Sequence, residues 1–132
     1  MATQALIELA NPAGGQSTPF RVHYDGGTST GEQLRALIDR DGYHTVYQTI
    51  ANQPSRFWVS LDSSLRAMPD YASSFPASWD VELVTGYGLL FVGAGEKALS
   101  ADPCRFNQGS WDGIAWTVSD RGRVAGGFSR AV

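Results

Sequence analysis

The chain has 132 residues, of which 42% are hydrophobic and 17% charged, with four Trp, five Tyr and six Phe. That is the make-up of one folded domain spanning 1–132, and it excludes the charge-rich, aromatic-poor signature of disorder. A formal net charge of −3 creates no field that would draw in nucleic acid or anionic lipid, so nucleic-acid binding is disfavoured.

"QALIELA" at 4–10 is a short, largely apolar run ended by the breaker cluster "NPAGGQSTP", which reads as a strand and a turn. "PFRVHYD" follows, with Phe20, Val22 and Tyr24 on one face and Arg21, His23 and Asp25 on the other. That is the period of a half-buried strand, and it predicts a hairpin with the first. Gly26 and Gly27 end this strand, and Ser29 with Glu32 has the S-x-x-E spacing of a capping box. Leu34, Leu37 and Ile38 then share one helical face, with Gly42 as the stop. Tyr43, Val46, Tyr47 and Ile50 repeat the spacing, which predicts a second short helix reaching Asn52 and closed by Pro54.

"SRFWVSL" at 55–61 reads as a strand with Phe57 and Val59 opposite Arg56, Trp58 and Ser60. Residues 62–78, rich in serine with two prolines and no period, read as a long loop of the kind that often carries function. "WDVELVTGYGLLFVGAGE" is strongly β, either one bent strand or two meeting near Gly86 and Gly88, and "GIAWTVSDRGRVAGGFS" predicts a closing hairpin around Ser119 to Gly122. Helices clustered in one part of the chain, without regular crossovers, predict an α+β domain: a mostly antiparallel sheet with two short helices packed on one face.

His23 and Asp25, at i and i+2 of a strand, share a face and are the candidate catalytic pair, with Asp25 orienting the imidazole as a general base. A metal site would need further ligands, and neither a second H-x-D nor an H-x-x-x-H is present, so no metal and no cofactor is expected. The structural alternative has Asp25 capping the turn and His23 facing solvent. "GYGLLFVGAGEK" lacks both G-x-x-x-x-G-K-[ST] and G-x-G-x-x-G, so a bulge and a hairpin turn explain its glycines better than a phosphate loop. "DRGRVAGGFSR" reads as a final strand with a frayed tail rather than an RNA-binding RGG segment. Serines are plentiful without a G-x-S-x-G elbow.

Cys104 is the single cysteine and reads as a semi-buried thiol; with no partner for a disulfide, it suits a reducing cytoplasm. No apolar run approaches the ~20 residues of a membrane span, and the N-terminal stretch lacks the pattern of an export signal. The tryptophans outnumber what a core of this size needs. Trp58, Trp79 and Trp111, with His23 and Tyr24, are therefore the candidate ligand- or partner-binding residues, the alternative being that two or three of them fill the core.

"VHYDGG", followed by Gly31 and an amphipathic helix, resembles the H-W-D-G opening of a group of small uncharacterised phage and prophage proteins, with Tyr24 in place of the tryptophan. The resemblance covers about the first third of the chain and implies a viral or mobile-element origin, hence the host cytoplasm; it implies no chemistry for His23 or Asp25. The expectation is a non-enzymatic binding protein that engages a protein partner or small ligand through exposed aromatics and the 62–78 loop. The alternative is a small hydrolase or transferase using His23 and Asp25. Sheet edges and surplus tryptophans also predict a homodimer.

Overall fold

A computed structural model of the chain describes residues 4–23, 28–68, 80–92 and 113–130. Within them lies one seven-stranded sheet and two helices: β1 (Ala5–Leu9), β2 (Thr18–Val22), α1 (Thr28–Asp41), α2 (Tyr43–Ala51), β3 (Phe57–Leu61), β4 (Val81–Val84), β5 (Gly88–Phe91), β6 (Gly113–Val118) and β7 (Val124–Arg130). The spatial order is β4-β5-β3-β2-β1-β6-β7. β1–β2, β3–β5, β4–β5 and β6–β7 are antiparallel, whereas β1–β6 and β2–β3 are parallel. The α+β class and the mostly antiparallel sheet expected from the sequence are therefore the observed ones. The two parallel pairings are additional, and α1 and α2 together form the crossover that returns β2 to its parallel neighbour β3.

The sequence boundaries follow local chemistry. Gly42, at φ +82°, turns the chain out of α1 and precedes α2, and its amide still donates to the Ile38 carbonyl. Ser29 lies inside the first turn of α1 rather than ahead of it. Of the two readings of the 79–96 segment, the hairpin is realised: β4 and β5 pair across a turn whose Tyr87 amide donates to Val84. The last hairpin closes where expected, with Gly122 N–H donating to Ser119.

Alternation along the strands builds two cores. Ala5, Ile7, Leu9, Phe20, Val22, Trp58, Leu90, Trp116 and Val118 meet Leu34, Leu37, Val46 and Ile50 of the helices on one face. Phe57, Val59, Leu89 and Phe91 form a second, smaller cluster, packed with Leu65, Val81 and Leu83. β3 is thus buried on both faces. A register shift between Trp58 and Ser60 bulges this strand, which lets Leu61 join Trp58 in the helix-side core although residues three positions apart in a regular strand face opposite sides. The helices come close enough to the sheet that a Cβ on Gly31 would fall 2.4 Å from the Trp116 ring, so only glycine fits at that turn of α1.

Candidate ligand-binding face

On β2, Phe20 and Val22 point into the helix-side core and are fully buried, which sends Arg21 and His23 to the opposite face of the sheet. The parallel ladder to β3 fixes their neighbours. Arg21 N–H donates to the Arg56 carbonyl and His23 N–H to the Trp58 carbonyl, both at 2.8 Å, and Arg21 stands in register with Phe57. The Arg21 guanidinium lies over the Phe57 ring, 4.2 Å from its centroid. Phe57 leans on Phe91 at 4.6 Å between centroids, and the His23 ring meets both edge-on, at 6.0 Å from Phe57 and 6.2 Å from Phe91. Gln4 Nε2 lies 3.5 Å from His23 Nδ1, at the limit of a hydrogen bond.

His23 is therefore partly buried against two aromatic rings, which corrects the expectation of a solvent-facing histidine. The reason is register: the strand period shows that His23 leaves the helix-side core, but only the β2–β3–β5 order shows that two phenylalanines wait on the other side.

Electrostatically the face is unusual for its cation. Arg21 Nε is sealed from solvent with no acceptor, and burial lowers the Arg21 pKa from its ordinary value. A second guanidinium nitrogen, Nη1 of Arg56, is also buried without an acceptor. Among the described residues the one ion pair is elsewhere, between Arg40 and Asp41.

Of the other residues singled out by sequence, Trp58 is fully buried in the helix-side core, with Trp116 nearly so. Trp58 is thus a packing residue and not a surface anchor, because β3 is an interior strand whose two faces are both covered. Among the described residues the only exposed large hydrophobic is Met68. Tyr24, Asp25, Trp79, Trp111 and Cys104 lie outside the described residues, as does the 62–78 loop beyond Met68. No group of three or more His, Cys, Asp or Glu side chains suited to a metal ion occurs among the described residues.

Arg21 was not among the candidates that sequence offered. Its one signal there is an arginine held between two core positions, Phe20 and Val22, which commits its stem to the sheet surface. Comparison of the chain with protein families, curated proteins and solved structures finds no match.

Proposed function

We propose that this is a small non-enzymatic binding protein that takes a small ligand on the face of its sheet opposite α1 and α2, around the partly buried Arg21 and His23. The observation that carries the reading is the Arg21–Phe57–Phe91–His23 cluster: a charged and a polar side chain on and just after β2, packed against aromatic rings of its parallel neighbour β3 and of β5. Polar groups fixed by packing on strands, rather than on loops, are what a binding site needs for a defined geometry.

The likeness of "VHYDGG" to phage and prophage proteins supports a phage origin and action in the host cytoplasm, and genes for virion or lysogeny functions on either side of this one are the expected genomic setting. β4 and β7 end the sheet, which supports self-association through an edge strand. Light scattering that gives a monomer at all concentrations removes the dimer. The binding reading is tested by amide chemical-shift mapping during a fragment screen: shifts should gather on β2, β3 and β5, and a set confined to α1 and α2 refutes it.

A further inference from the structure

Arg21 is flanked across the ladders by Leu6 on β1 and Phe57 on β3, both apolar, and Pro19 and His23 precede and follow it on the same face. Glu8, the acidic residue on this face of β1, stands opposite Pro19 and forms no ion pair with Arg21. The chain carries thirteen Asp and Glu, yet none of the described ones is set against this guanidinium. The Phe57 ring lies against one flat side of the group, and Nε is buried without an acceptor. A guanidinium stays charged at every physiological pH, and its planar fork of donors matches the paired oxygens of a carboxylate or phosphate. Partly burying such a group without compensation is unfavourable, and folded proteins leave few buried donors in that condition without a reason. Stacking on an aromatic ring orients the fork while consuming none of its donors.

We infer that this face recognises an oxyanion, the carboxylate or phosphate of a small ligand, with the Arg21 fork as its donor, Phe57 as the backing of the guanidinium and His23 as the neighbouring wall. The inference rests on the proposed binding role and adds the chemistry of what is bound. It makes Arg21, rather than the histidine, the residue on which affinity turns.

The test is calorimetric titration of the full chain with phenyl phosphate, benzoate and neutral benzamide, alongside the same titrations of Arg21→Gln and Arg21→Lys. At least one anion should bind saturably and about tenfold or more tighter than benzamide, a difference that corresponds to one charge-assisted contact. The tighter of the two anions identifies phosphate or carboxylate as the source. Arg21→Gln should lose that preference at an unchanged melting temperature, and Arg21→Lys, which keeps the charge without the fork, should lose most of it. Benzamide binding as tightly as either anion sinks the oxyanion and leaves the binding face intact. Anion binding unaltered in both variants also overturns it. If no probe binds and none moves the amide resonances of Arg21, His23 or Phe57, the oxyanion and the binding face fail together.

Discussion

Arg40 and Arg21 each lie over an aromatic ring, 5.3 Å from the Tyr87 centroid and 4.2 Å from the Phe57 centroid, and they differ in everything else. Arg40 Nε and Nη2 donate to the two carboxylate oxygens of Asp41 at 2.8 and 2.7 Å, and its Nη1 donates to the carbonyls of Ser63 and Gly86 at 3.2 and 3.1 Å. Tyr87 closes the group by donating its hydroxyl to Asp41 at 2.7 Å. The Asp41 hydrogen bonds raise the Arg40 pKa, whereas burial alone lowers that of Arg21. An arginine whose donors are met by protein acceptors is a clamp, here between the end of α1 and the β4–β5 hairpin. One that is backed by a ring and left without acceptors has its recognition chemistry to spare. Residue type therefore says less about role than the inventory of partners does.

The clamp breaks most completely if its hairpin is displaced. Gly88, at φ +141°, faces the β3 bulge so closely that a Cβ would fall 2.1 Å from the Ser60 carbonyl oxygen. Gly88→Ala should cost about 2–4 kcal/mol in denaturant unfolding, through the forbidden dihedral and the backbone collision together. A loss inside experimental error would mean that β5 can shift freely against β3, and that Arg40 does not depend on this register.

Removing the clamp itself comes next. Asp41→Ala deletes the acceptor shared by Arg40 and Tyr87 and should cost about 1–2 kcal/mol, below the sum of its hydrogen bonds because the site is partly solvated. A double-mutant cycle with Arg40→Met should show that the two losses are not additive. Additive losses would dissolve the clamp into independent contacts, and with it the contrast to Arg21.

How much of this was readable beforehand depends on range. The helices were legible because Leu34, Leu37 and Ile38, then Tyr43, Val46 and Ile50, put their spacing within a few residues, and Gly42 marked the break between them. The hairpins were legible because their turns are local. The parallel pairings of β1 with β6 and β2 with β3 join segments far apart in the chain, and no period encodes a partner. The site suffered from that. Alternation set Arg21 and His23 apart from Phe20 and Val22, but it could not reveal that β3 is covered on both faces, so Trp58 looked like a surface residue and Phe57 like a core one with no bearing on the arginine.

Acid separates the two regions by a smaller effect. The hydrogen bonds from Arg40 and Tyr87 hold the Asp41 carboxyl down to about 2, from an ordinary value of 3.8. A carboxylate whose folded pKa lies below its unfolded one stabilises the fold fully above the unfolded value, and that contribution fades as pH falls from there through the folded value. Stability should thus drop between about pH 4 and pH 2 more steeply in the native chain than in Asp41→Asn, whose amide does not titrate. Parallel pH profiles for the two proteins would show that the carboxylate is no better held in the fold than in the unfolded chain.

The smallest expected effect is at Arg21. Arg21→Met keeps an unbranched stem against Phe57 and Leu6 while deleting a partly buried cation that no described carboxylate pairs. A cation with no carboxylate partner has no ion pair to lose, its ring contact is worth only about 0.5–1 kcal/mol, and replacing a poorly compensated buried charge by an apolar side chain of similar length is often neutral or stabilising. Thermal unfolding should therefore place Arg21→Met within about 0.5 kcal/mol of the native chain or slightly above it. Arg40→Met, the same exchange at the same kind of ring, should fall about 1–2 kcal/mol below, because it strands Asp41 and two carbonyls. An arginine that folding does not need is free to serve a ligand, as sites commonly hold groups that folding would not choose. If Arg21→Met destabilised the protein as much as Arg40→Met, Arg21 would be structural and the distinction between the two arginines would fall.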